Sequence, residues 1–406
     1  MNRIFTPASI ALPKFAPEDA EHFSRWAVIA CDQFTSDPAY WAQAEKIREG
    51  CPSALDLFLP EAYLGTEKEE EQRQKVAEEQ EKAEFSVTEN AVVYLRRTLP
   101  DGRVRRGLIG KLDLEEYDYQ KRSAPRVRAT EETVLSRIPP RVAIREKAVW
   151  ELPHVLVLVD DCENIIAGME KEIPALRLAY KAPLMLGGGA VEGYFVKGEA
   201  LARLEARLAD YEEKREAAGT FSYAVGDGNH SLASAKAHYE NLKKTLGEAA
   251  KNHPARYALV EITALGDAAL DFEPIYRVVK NCDTADLLAA LRKATAGEGQ
   301  KVTVLTAQGA EELTLAPTHA LTVGTLQKFL DEYLAAHTEA KIDYIHDEAE
   351  LKRLAAEKNA VGFLFDGMDK AELFPYVTAH GTCPRKTFSM GEARSKRYYL
   401  EARKIK

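Results

Sequence analysis

The run Gly226-Asp-Gly-Asn-His-Ser231 places a carboxylate, an amide, an imidazole and a hydroxyl within six positions, spaced by two glycines. Asp227 can take a proton or ligate a hard cation such as magnesium, and His230 can act as a base or donate to a phosphate. Gly226 and Gly228 carry no Cβ, so a tight turn or a close ligand fits there. Asn229 and Ser231 add hydrogen-bonding groups. The run is not the common Gly-Lys-Ser/Thr phosphate loop, because no such triplet follows it.

A second polar group, Arg128-Ala-Thr-Glu-Glu-Thr133, offers a guanidinium fork for phosphate or carboxylate in Arg128, a hydroxyl in Thr130 and a proton acceptor in Glu131. Arg277, and Arg385 with Lys386, could add positive charge. Each has a plainer reading. Asp227 or Asn229 could cap a helix, Thr130 could cap another, Arg277 could pair with Glu273, and Arg385-Lys386 could be solvated. Asp160-Asp161, at a strand end, reads as a helix cap with a magnesium site as the alternative. Cys31 beside Asp32 reads as an inert buried thiol more readily than a reactive one.

These groups need elements to hold them. Phe221 to Val225 is a short apolar β-rich run, and a helical pattern opens at Ser231, so a buried strand should deliver the polar run to the first turn of a helix. Free N–H groups and the positive end of the helix dipole lie there, which suits an anion. The spacing predicts strands at 26–30, 154–160 and 257–263, and a hairpin from 91–97 and 104–112 around Asp101-Gly102. It predicts helices over 39–49 and 197–218, and a solvated helix within the Glu- and Lys-rich stretch 66–84. Gly187-Gly-Gly189 should interrupt a strand pair. The alternation of strand and helix gives an α/β chain with a mixed sheet. The expected segments are 1–125, 126–282 with the Gly226–Ser231 run, an inserted α/β module at 283–345, and 346–406 returning to the core.

Composition sets the outer bounds. A chain of 406 residues, 46% hydrophobic and 29% charged, suits a folded protein of more than one domain. A net charge of −9 argues against a nucleic-acid partner, which needs clustered Lys and Arg. Five scattered cysteines and no secretory leader lead to the expectation of a reducing cytoplasm. No apolar run reaches the roughly 18 residues of a membrane helix. No His/Cys cluster suggests zinc. A small-molecule ligand is therefore the expected partner, and a homo-oligomer is compatible with the composition.

Taken together, Ala30-Cys-Asp-Gln33, Arg128-Ala-Thr-Glu-Glu-Thr133, the glycines before Tyr194, Gly226-Asp-Gly-Asn-His230, Pro274-Ile-Tyr-Arg277, Gly362-Phe-Leu-Phe-Asp366 and Pro384-Arg-Lys-Thr387 resemble the domain of unknown function 1015 family over nearly the whole chain. The central run is also similar to the nucleotide-binding turn of the ParB/sulfiredoxin fold, which includes free-serine kinases. That resemblance implies a ParB/sulfiredoxin-like core and ATP or ADP held with magnesium. Asp227, Gly228 and His230 match the usual Asp-Gly-His-His-Arg. Asn229 stands for the first histidine and Ser231 for the arginine, so Arg128, Arg277 or Arg385 would have to supply the lost charge. The implied activity is transfer of a phosphoryl group to a serine-like hydroxyl. The alternative is a nucleotide or metabolite sensor without turnover.

Overall fold

The computed structural model describes residues 3–29, 34, 37–63, 65–120, 124–152, 155–161 and 163–406, without the side chain of Glu61. Cys31 and Asp32 lie outside the described residues. The chain forms two compact units, one of residues up to Leu270 with Glu392–Lys406, the other of Asp271–Gly391. Both are mixed α/β.

In the first unit, the Asp101-Gly102 turn joins Phe85–Thr98 to Val104–Asp113 as the predicted antiparallel hairpin. Tyr257–Ala264 pairs antiparallel with the second of these strands and parallel with Leu156–Val159. Leu156–Val159 in turn pairs antiparallel with Tyr223–Asp227, the strand that carries the polar run. Val127–Ala129 lies parallel on its other side, with Tyr223 opposite Val127 and Val225 opposite Ala129. Eleven strands, drawn from both 1–125 and 126–282, make up this mixed sheet.

Period-two alternation fills both faces of the sheet. Val92, Tyr94 and Leu108 join one core with Leu204 and Leu208 of the helix Gly198–Ala217 and Leu232 of the helix Asn229–Leu246. Val93, Leu95 and Ile109 join another, with Phe23, Trp26, Tyr398 and Leu400. Near the N-terminus the structure departs from expectation. Trp26 closes a helix, Ala20–Trp26, and only Val28–Ile29 is extended, pairing with Tyr398–Tyr399. Trp26 instead buries its ring and donates its indole N–H to the Leu400 carbonyl.

The second unit has its own five-stranded antiparallel sheet, ordered Gly309–Leu315, Thr295–Thr306, Ala360–Leu364, Tyr276–Lys280 and Lys341–Ile345. The helices Thr284–Lys293 and Thr322–Ala336 pack Leu287, Leu291, Leu326 and Leu330 into its core. Among the described residues no helix is long and apolar enough to cross a membrane.

Candidate functional site

Tyr223, Ala224 and Val225 are fully buried, and the strand surfaces at Gly226-Asp227. The chain then turns at Gly228, whose φ of 79° lies in the left-handed region that glycine adopts at little cost. Asn229–Leu246 follows at once as a helix. Gly228 occupies the N-cap position and, among the described residues, no side chain caps this end, so neither Asp227 nor Asn229 takes the capping role that spacing alone allowed. The Asp227 Oδ1 instead accepts the N–H of Gly228 at 2.9 Å. The backbone amides of the first helical turn and the positive dipole end thus adjoin a carboxylate, an amide, an imidazole and a hydroxyl. Asn229 Oδ1 is shielded from solvent and makes no hydrogen bond among the described residues.

The second limb is fastened to this turn by two bonds. The buried Thr130 hydroxyl donates to the Val225 carbonyl at 2.6 Å, and the Val134 N–H donates to His230 Nε2 at 3.2 Å. Because Nε2 accepts, neutral His230 carries its proton on Nδ1. The parallel register brings Glu131 to the same end of the strand pair as Asp227. Thr130 is not a helix cap. The chain stays extended through Val127–Ala129, and helical turns begin only at Leu135.

Arg128 behaves differently. Its guanidinium lies 4.8 Å over the Phe221 ring and its Nε donates to the Pro125 carbonyl at 3.2 Å. Both partners precede the strand pair, whereas the polar turn follows it. The acids at 160–161 are engaged within the fold: Asp161 accepts the N–H groups of Ile165 and Ile166 at the start of a short helix whose N-cap residue is Asn164, and Asp160 pairs with Arg215 at 2.9 Å.

One charged neighbour of the turn carried no local sequence signal. Lys396 Nζ sits 3.2 Å from Asp227 Oδ2, and only 10% of its side chain is exposed. It is delivered by the C-terminal segment, which returns to the first unit.

A profile described as "Protein of unknown function (DUF1015)" matches residues 14–392. The chain belongs to the DUF1015 family. Comparison with curated proteins gives no match. Among solved structures, the chain is similar to a variant of free serine kinase in complex with ADP, at 12% identity and TM-score 0.41, covering 75% of this chain and 93% of that one. It is similar to another variant of free serine kinase in complex with AMP, at 11% identity and TM-score 0.40, covering 73% and 91%. A conserved hypothetical protein from Pyrococcus furiosus matches at 12% identity and TM-score 0.36, covering 73% and 94%.

The remaining cationic candidates of this DUF1015 chain belong to the second unit. Arg277 is fully buried and donates to the carbonyls of Ile275, Arg385 and Lys386 and to Gln327 Oε1. It thereby pins the turn that carries Arg385 and Lys386, where Lys386 adopts a φ of 56°. Arg385 pairs with Asp331 and donates to the Tyr344 hydroxyl. Among the described residues no three His, Cys, Asp or Glu side chains converge as a metal site. A magnesium ion held at Asp227 would have to take its remaining oxygens from elsewhere, such as a ligand's phosphates or water, the usual manner for this ion.

Proposed function

We propose that this chain binds the phosphates of ATP or ADP at the Gly226–Ser231 turn and transfers a phosphoryl group to a small hydroxyl-bearing metabolite. The observation that carries the reading is the helix start at Gly228. A left-handed glycine, no capping side chain among the described residues and a glycine-spaced polar run leave backbone amides and the dipole to receive an anion. In the reaction, the acceptor's oxygen attacks the terminal phosphorus, its proton passes to Glu131, and the bond from phosphorus to the nucleotide's bridging oxygen breaks. The amides of the first helical turn stabilise the charge that develops. Asp227, already paired with Lys396, suits charge organisation better than proton abstraction. His230, held in one tautomer through Val134, would contact a phosphate oxygen through Nδ1–H. Magnesium, when bound at Asp227, would neutralise phosphate charge. A serine-like hydroxy acid is the first acceptor to test.

Ser231 favours a second reading. A hydroxyl supplies no charged fork, and a chain that binds nucleotide without consuming it would serve as a sensor. The test is thermal melting with ATP or ADP and magnesium, followed by product detection across a panel of small hydroxy acids. Nucleotide should raise the melting temperature, and Asp227→Asn and His230→Ala should each abolish phosphorylated product while the fold persists. Binding without product in any combination selects the sensor. No shift with any nucleotide removes both readings.

A further inference from the structure

We infer that Lys396 is the phosphate-recognising cation of this site, taking the charge role that Ser231 cannot. The inference rests on the phosphate-binding reading above and extends it to a residue from a distant part of the chain. Asp227 joins both partners: its Oδ1 accepts the Gly228 N–H and its Oδ2 meets Lys396 Nζ. The ammonium therefore lies one carboxylate's width from the start of the helix. An ammonium carries three donors and can serve more than one oxygen at a time.

How Lys396 is held supports this role. A lysine ordinarily extends its charge into water, yet this one is nearly enclosed. Two of the three residues around it are fastened through buried arginines on the long hairpin. Arg97 donates to the Arg394 carbonyl at 3.0 Å and Arg105 to the Ser395 carbonyl at 3.2 Å. On its other side, Arg397 pairs with Glu261 at 2.6 Å and Glu401 at 2.8 Å, both carboxylates fully buried. Arg97 and Arg105 face each other directly across the two strands, at 2% and 4% exposure. Like charges so placed repel, and burying them is costly. Glu261 offsets part of that cost, pairing with Arg105 at 3.4 Å as well as with Arg397, so one buried carboxylate ties the hairpin to the segment that carries Lys396.

The pairing also offsets the charge of Asp227. With Lys396 present, the Asp227–Lys396 pair is neutral overall beside the helix amides. Without it, the Asp227 carboxylate would repel an incoming phosphate.

The test measures ADP binding by titration calorimetry at fixed salt and without magnesium, so that Asp227 acts only through its own charge, with unliganded melting of each variant as the control for folding. Lys396→Gln should weaken ADP about tenfold or more, whereas Lys396→Arg should stay near wild type. Adding Asp227→Asn to Lys396→Gln should recover part of the loss by removing the unbalanced carboxylate, an effect that simple loss of packing would not produce. Adding Ser231→Arg to Lys396→Gln should recover affinity by returning a charge to the first helical turn. If Lys396→Gln melts below the assay temperature, Lys396→Arg and Ser231→Arg with Lys396→Arg carry the comparison, and weakening in the first of these would overturn the inference. Wild-type protein that binds ADP, with Lys396→Gln binding it equally well, overturns the role of Lys396 alone. Wild-type protein that binds neither ADP nor inorganic phosphate overturns the phosphate reading, and this inference with it.

Discussion

Single residues in the first unit show how burial fixes charge state. His238 lies on the helix that starts at the candidate site, 6% exposed, and its Nδ1 has no hydrogen-bond partner among the described residues. Burial first, then Arg145, His253 and Lys406, push its pKa down to about 4, with Glu151 acting in the opposite direction. The folded state therefore keeps this imidazole neutral while the unfolded chain takes up a proton near pH 6.5. Between those values the unfolded state binds more protons, so stability rises with pH and is lost on acidification from about 6.5 to 4. Urea unfolding at pH 7.5 and pH 5 should differ through this group by about 2 kcal/mol, and His238→Leu should remove that share. An unchanged difference in the variant would place the acid sensitivity elsewhere.

At the scale of elements, the glycine run 187–189 illustrates how a motif with two readings is decided by its neighbours. Three glycines could admit a ligand, and they could equally make a turn. The structure places them at the turn between Arg177–Pro183 and Ala190–Val196. A Cβ on Gly188 would come within 2.1 Å of the Tyr398 hydroxyl, and one on Gly189 within 2.2 Å of the Thr98 carbonyl. The space is filled by the chain itself. Gly189 has a φ of 81°, so Gly189→Ala combines left-handed strain with a backbone clash. It should cost about 3 kcal/mol in denaturant unfolding; a loss below roughly 1 kcal/mol would show that the turn relaxes freely. The segment around Thr130 makes the complementary point. Its Thr-Glu-Glu-Thr pattern permits a helix cap, yet Val127–Ala129 extends because the central strand offers parallel pairing. The Thr130 hydroxyl then joins that strand at Val225.

For the molecule as a whole, each unit has apolar clusters of its own, none of them shared with the other. The second unit begins and ends at one place, since the Gly391 N–H donates to the Asp271 carbonyl. Residues 271–391 expressed alone should therefore fold, with a cooperative thermal transition and the far-ultraviolet signal of mixed sheet and helix. A broad, non-cooperative melt would mean that this unit requires the remainder of the chain.

The strand, the turn at Gly226–Ser231 and the helix after it were legible in the sequence because local periodicity and glycine placement encode them. The long hairpin was legible for the same reason. Which residues meet at the turn was decided by long-range pairing. Parallel register brings the Thr130 limb alongside, and the C-terminal segment returns with Lys396. Arg277 and Arg385, equally basic in sequence, are instead engaged with carbonyls, a carboxylate and a hydroxyl within the second unit. A cation's type is written in the chain, but its partner depends on which strands and buried ion pairs carry it there, and no local spacing specifies that.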